Sequence, residues 1–315
     1  MSETLSPHYA SSRDRPADDG SAGDGLARGI AAAAEALLAQ QRADGHWAFE
    51  LEADATIPAE YILLQHYLDE IDEEVQRALA HYLRGIQGAD GGWPLFHGGA
   101  LDLSASIKAY FALKAAGDAP EAPHMARARA AILARGGAAR CNVFTRIQLA
   151  LFGVLPWRAV PVMPVEIMLL PRWFPFHLTK VSYWSRTVIV PLLVLMALKP
   201  RARNPRGLGV PELFAPGTEA AAPRAKGSVW ATVFNGVDAV LRRIEPWLPK
   251  RLRRRAIARA VAWVEERLNG EDGLGAIYPA MANSVMMFDA LGCAKEDARL
   301  QIAKASLRKL LVLTP

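Results

Sequence analysis

The chain has 315 residues, 51% of them hydrophobic and 22% charged, with 21 prolines and 24 glycines, which excludes a disordered or collagen-like polymer and allows one large core or two smaller ones. Its two cysteines, Cys141 and Cys293, have neither disulfide-framework nor zinc spacing, so a reducing cytoplasm is the expected compartment. The net charge of +5 is uneven: between Lys199 and Arg259 there are 14 Lys/Arg against four acids, which points to an anionic partner surface, either nucleic acid or lipid headgroups.

Residues 1–28 are polar and small, with no apolar run and no secretory signal, and read as a disordered leader. From residue 29 onward the pattern is a helical repeat. An amphipathic stretch from Ile30 to Gln41 ends in Gln41, Gly45 and Trp47, and the same spacing returns 46 residues later as Gln87, Gly91 and Trp93 after Val75 to Gln87. Gly137 marks a degenerate third copy, and Asn269, Gly273 and Gly275 a weaker fourth after Ala256 to Leu268. Each turn leads into a more apolar helix: Pro58 to Leu68, Leu103 to Ala116, Val143 to Phe152 and Ala282 to Leu291. The unit is therefore a polar outer helix, a glycine turn and an apolar inner helix. Strand signals are nearly absent, and inner helices apolar over most of their circumference favour a closed α/α barrel, or toroid, over an open superhelix.

Two charged features interrupt this pattern. Glu60 is a carboxylate on an otherwise apolar inner helix, where it must find partners or shift its pKa. The cluster Asp69, Glu70, Asp72, Glu73 and Glu74 resembles a magnesium-binding acid motif, but it precedes an outer helix, where acids favour the amino terminus, and reads as a solvated turn. Residues 156–249 form an irregular, proline-dense insertion in which helices are expected to break often. Its longest apolar run, Val188 to Leu198, contains Pro191 and is too short for a membrane span of roughly 20 residues, so a buried helix is expected. Further on, Trp230, Phe234 and Trp247 precede the basic run Lys250 to Arg255. Aromatic and apolar residues followed by cations form the pattern of an in-plane membrane anchor, and no nucleic-acid motif accompanies them. Arg299 to Leu313 reads as a last outer helix without an inner partner.

The Gln-x3-Gly-x-Trp turn resembles the repeat of triterpene cyclases. The stretches Pro164 to Met168, Ser182 to Val188, Arg203 to Gly207 and Gly270 to Met281 resemble bacterial squalene-hopene cyclases in order and spacing. The resemblance covers residues 29–315 as an amino-terminal barrel domain. It implies that squalene folds in a dry, ring-lined cavity where π faces stabilise a migrating cation. It places Trp184 and Phe144 on the cavity wall, Ile277, Tyr278 and Pro279 at the end where the last cation is quenched, and Glu60 in the polar network there. Lys108, Asn142 and Gln148 stand where some members carry glutamate, arginine and tryptophan. The family's Asp-x-Asp-Asp acid motif belongs to the carboxy-terminal half and does not occur in this sequence, so this chain is expected to hold no catalytic acid and to be inactive alone.

The resemblance further implies squalene, a membrane surface and a carboxy-terminal cyclase half as partners, with a homodimer left open, no nucleic acid, and no cofactor or metal. It also implies attachment to the cytoplasmic face of the inner membrane. The product, hopene or hopanol, stays open. The alternative class is a noncatalytic isoprenoid-binding or scaffolding barrel; a zinc prenyltransferase subunit is disfavoured because no Asp, Cys and His set is organised for a metal.

Overall fold

Apolar positions at helical spacing dominate the chain, and the described residues of the computed structural model are accordingly all-α apart from one two-residue hairpin, Trp93–Pro94 against Leu101–Asp102, and a single bridge between Asn269 and Gly273. The structure describes residues 21–47, 53–215, 229–269 and 273–312. Two units are distinguished, 1–52 and 53–315.

In the first unit, helix α1 (Ser21–Ala39) begins eight residues earlier than expected. The expected leader 1–28 is thus corrected at its end. Asp24 in the first turn suits the helix dipole, and the alanine-rich run behind it propagates helix readily; residues 1–20 lie outside the described residues. The turn after α1 is held by its own side chains: Gln41 Nε2 donates to the Gly45 carbonyl (2.6 Å) and the Trp47 indole to the Leu37 carbonyl (2.6 Å).

In the second unit, α2 (Thr56–Leu68), α4 (Leu103–Ala115), α6 (Val143–Leu151), α7 (Tyr183–Leu198) and α10 (Tyr278–Ala290) form an inner set. Helix α2 packs between α4 and α10, α10 also packs on α7, and α4 on α6. Most of α2, α4 and α10 is buried regardless of helical face, as inner staves must be. The outer helices bury one stripe each. Helix α3 (Glu73–Gly85) buries Gln76, Ala80 and Leu83, and α9 (Lys250–Glu265) buries Ala256, Ala260 and Val264. Helices α5 (Pro123–Ala134) and α11 (Ala298–Arg308) follow the same rule, covering α4 and α10. This is the α/α arrangement expected from the repeat.

Two expectations need correction here. The insertion 156–249 is not irregular throughout. It breaks into short 3-10 turns at 157–159, 165–169, 178–180 and 211–213 where prolines fall, yet it also supplies α7, an inner helix. Pro191 lies inside α7 and removes one backbone donor, but the surrounding Val190 to Met196 are all buried and hold the segment in place. Helix α11 is also not without an inner partner, because Leu300, Ala303 and Leu307 pack against α10.

The second copy of the turn repeats the first. Gln87 Nε2 donates to the carbonyls of Gly91 (2.8 Å) and of His124 at the start of α5 (2.9 Å), and the buried Trp93 indole donates to the Leu83 carbonyl (2.8 Å). Gly91 has φ +86°, and a Cβ there would stand 2.9 Å from the Arg127 carbonyl oxygen of α5. At Gly273, in the fourth copy, a Cβ would stand 2.7 Å from Ser306 of α11. Glycine thus lets the next outer helix approach the turn. Gly91→Ala is expected to cost about 1–3 kcal/mol in denaturant unfolding. Gly85→Ala, at the end of α3 where a Cβ meets nothing within 4 Å, should instead be neutral or stabilising by about 0.5 kcal/mol.

Candidate active-site cavity

The five inner helices of the second unit enclose a cavity of about 300 Å³, within the range of small-molecule sites. Its walls are apolar: Ile57 and Leu64 from α2, Ile147 and Leu151 from α6, Val188 and Leu192 from α7, Ala282 and Met286 from α10. Residues one turn apart on each helix share the wall, as 3.6 residues per turn requires. Polar groups gather from Thr56, Glu60, Lys108, Asn142, Gln148, Tyr278 and Asn283.

Glu60 and Lys108 form an ion pair across α2 and α4, with side chains 21% and 7% exposed. They lie 48 residues apart, close to the 46-residue repeat, so they occupy nearly equivalent levels of successive inner helices. Pairing answers the cost of burying either charge alone. Beside them, Tyr278 is buried, and its hydroxyl has no partner among the described residues. Burial, followed by the charges of Glu60 and Tyr61, pushes that hydroxyl well above the ordinary tyrosine range, so it stays protonated. Tyr61 packs against the Tyr278 ring at 6.3 Å between centroids. Asn142 caps α6 by accepting from Thr145 N (2.9 Å), and Asn283 Nδ2 donates to the Val188 carbonyl (3.3 Å), tying α10 to α7.

Of the residues expected at the site, Glu60, Phe144, Tyr278 and Pro279 line this cavity together. Ile277 does not; it is the residue that precedes α10 and its backbone is extended. Trp184 does not line it either. It lies on the first turn of α7, 55% exposed, edge-on to Tyr183 at 5.9 Å. It nevertheless sits four residues before Val188 and eight before Leu192, on the helix face that forms the wall. Phe144, on the first turn of α6, is likewise half exposed at the open end.

Sequence reasoning named Lys108 only as a departure from the family and missed its role as counter-ion. The signal was a lone cation in the middle of an apolar helix, facing a lone acid one repeat earlier. The acidic cluster is used structurally: Asp69 ends α2 in the left-handed conformation, Asp72 caps α3, Glu70 bonds Lys304 (2.6 Å) and Glu73 bonds Arg206 (2.5 Å). Among the described residues, no group of three His, Cys, Asp or Glu could hold a metal ion.

Of the membrane-facing residues, Trp230 and Phe234 lie on α8 (Val229–Ile244), but their side chains are outside the described residues; Trp247, just after it, is 86% exposed. The polar face of α8 docks through Asp238, which accepts from Val162 N (2.7 Å), and Arg242, which donates to the carbonyls of Arg158 (2.7 Å) and Val160 (2.9 Å). Val233, Val237, Val240 and Ile244 form an exposed stripe on the opposite face. No described helix is long and apolar enough to cross a membrane.

A double-mutant cycle tests the ion pair. Glu60→Leu or Lys108→Leu alone should cost about 2–4 kcal/mol in equilibrium unfolding, because each strands a buried charge, whereas the double variant should recover most of that loss.

Residues 30–315 match the family model described as the squalene-hopene cyclase N-terminal domain. The chain is 60% identical over 293 residues to a probable squalene–hopene cyclase of Sinorhizobium fredii, covering 91% of this chain and 45% of that protein. It is 60% identical over 285 residues to the squalene–hopene cyclase of Zymomonas mobilis (90% and 43%), and 36% identical over 253 residues to that of Alicyclobacillus acidocaldarius (80% and 40%). The chain spans less than half the length of these curated relatives.

Proposed function

Because the chain belongs to the squalene-hopene cyclase family and matches its amino-terminal domain, we propose that its inner-helix cavity is one wall of the site in which squalene is folded and polycyclised to a hopanoid product. The observation that carries this reading is the composition of the cavity: apolar walls from four helices, two aromatic rings, and polar groups grouped around one paired charge that α4 helps to supply. Hydrocarbon walls bind a polyene by burying its surface, and ring faces stabilise a passing cation without trapping it covalently. Among the described residues the only carboxylate on the lining is Glu60, and it is engaged by Lys108. The protonating acid is therefore assigned to the part of the relatives beyond the matched length. Trp184 continues the wall past the cavity and Phe144 on its lining is half exposed, which supports a second domain closing over both. The Glu60, Lys108 and Tyr278 group stands where the last cation would lose a proton or meet water.

Joined in frame to the unmatched remainder of the Zymomonas mobilis relative, the chain is expected to convert squalene to polycyclic product, detected by gas chromatography with mass spectrometry. Trp184→Ala and Phe144→Ala should each lower turnover at least tenfold, about 1.4 kcal/mol of transition-state stabilisation, with the fold retained. Unchanged turnover in both would place the cation elsewhere.

The second element of the proposal is a membrane seat. The apolar stripe of α8 and Trp247 face away from the docked polar side of that helix, and the following α9 exposes Lys250, Arg251, Arg254 and Arg255 with no ion pair among the described residues. This combination suits a helix lying in the interface with cations at the headgroups, at the cytoplasmic face of the inner membrane, where an insoluble substrate could be drawn from lipid. Vesicles of phosphatidylcholine and phosphatidylglycerol should bind the chain in high salt, and Trp230, Phe234 and Trp247 replaced together by Ser should abolish that binding. Fully salt-labile binding that survives the substitutions would contradict it.

A further inference from the structure

Helix α8 borders a second hollow, of about 300 Å³, which it shares with the turn at 157–163 and the end of α7. The apolar part of the lining is Trp157, Val160, Met163 and Met196, and the charged part is Arg158, Lys199, Arg242 and Glu245. Three ion pairs account for most of the charge there. Arg242 pairs with Asp238 (2.7 Å), Lys199 with Glu245 (3.0 Å), and Arg253, beside Glu245 at 4.0 Å, with Glu166 (3.0 Å). Arg158 is left over: its side chain is exposed and has no ion pair among the described residues. The lining residues and their partners therefore carry an excess of one positive charge, which a monoanion would balance.

Hydrogen-bond donors are left over as well. Arg242 gives three bonds, to Asp238 Oδ2 and to the carbonyls of Arg158 and Val160, and Lys199 bonds a single carboxylate. Both cations thus keep N–H groups unspent. A phosphodiester brings one negative charge and acceptor oxygens for such groups, and in a phospholipid it is joined to an apolar glycerol ester that would cover the methionines. Free phosphate would leave them bare, and a nucleic acid would bring a row of charges to a site with an excess of one. The hollow also lies where lipid would be met. Glu245 lines it, and Trp247, 86% exposed, and the α9 cations from Lys250 onward follow directly in the chain.

Given the membrane seat on which this rests, we propose that the hollow beside α8 is a binding site for the headgroup of one anionic phospholipid. Its phosphodiester is held by Arg158 and by the unspent donors of Arg242 and Lys199, with the glycerol end against Met163 and Met196. Dihexanoyl phosphatidylglycerol, kept monomeric below its micelle concentration, is the probe, and dihexanoyl phosphatidylcholine and inorganic phosphate are the comparisons. Isothermal titration calorimetry of the full chain should show saturable phosphatidylglycerol binding at least tenfold tighter than either. Arg158→Gln should weaken it at least tenfold without undocking α8, because that helix bonds the Arg158 carbonyl and not its side chain. Met163→Trp, which fills the hollow, should abolish it. Lys295→Gln, which removes the same charge from an exposed cation beside Glu70, should leave it unchanged. Phosphatidylcholine or phosphate binding as tightly as phosphatidylglycerol, the same affinity in Arg158→Gln as in Lys295→Gln, or no saturable binding would each overturn the proposal. A chain that binds the monomeric lipid in this pattern but no vesicles would instead contradict the membrane seat and leave the headgroup site standing.

Discussion

A helix leaves its last carbonyls without intrahelical partners, and each well-formed repeat of this chain closes that gap with a tryptophan. The Leu37 and Leu83 carbonyls occupy the third position from the end of α1 and α3, and each receives an indole N–H from the residue ten positions later. The bond folds the chain back over the helix end, and after α3 it leads the chain toward the inner helix α4. In the second copy, Gln87 also reaches the start of α5, so the turn links neighbouring outer helices. The inner helices, apolar on nearly all sides, depend on that outer layer to keep water from their backs.

Once inner helices are held this way, their other side must enclose something or collapse. Ala282 and Val188 are small enough to leave space, whereas Glu60 and Lys108 bring charge that must be neutralised where it lies. Each of the two charges would be a liability on its own helix, and the pair is possible because consecutive repeats place them side by side. The cavity and the ion pair are therefore consequences of the same repeat geometry.

Much of this was legible in the sequence because the constraints are local. A glycine with positive φ and a tryptophan two residues later are tied to one turn, and apolar inner stretches such as Leu103–Ala115 announce burial on every face. Helix α7 was harder to place in the ring, since prolines dominate its surroundings and Pro191 sits within it; only its packing on α10 identifies it as a stave. The site was legible in part. Glu60, Phe144, Tyr278 and Pro279 converge, while Ile277 contributes backbone before α10 and Trp184 lies one turn beyond the enclosed wall. Neither position follows from residue type, because helical phase at an element's first turn is set by where the cap falls. Lys108 was visible as an oddity, but its partner depended on the three-dimensional level of two helices.

The central claim is that the inner-helix cavity is a substrate wall. Its most direct measurement is photo-crosslinking with a diazirine-bearing squalene analogue, followed by peptide mapping of the full chain joined to the remainder of a relative. Labelling should fall on α2, α6, α7 and α10 at residues lining the cavity and on Trp184 one turn beyond them, and squalene should compete it away. Competed labelling confined to α8, with the cavity peptides unmodified, would contradict the account.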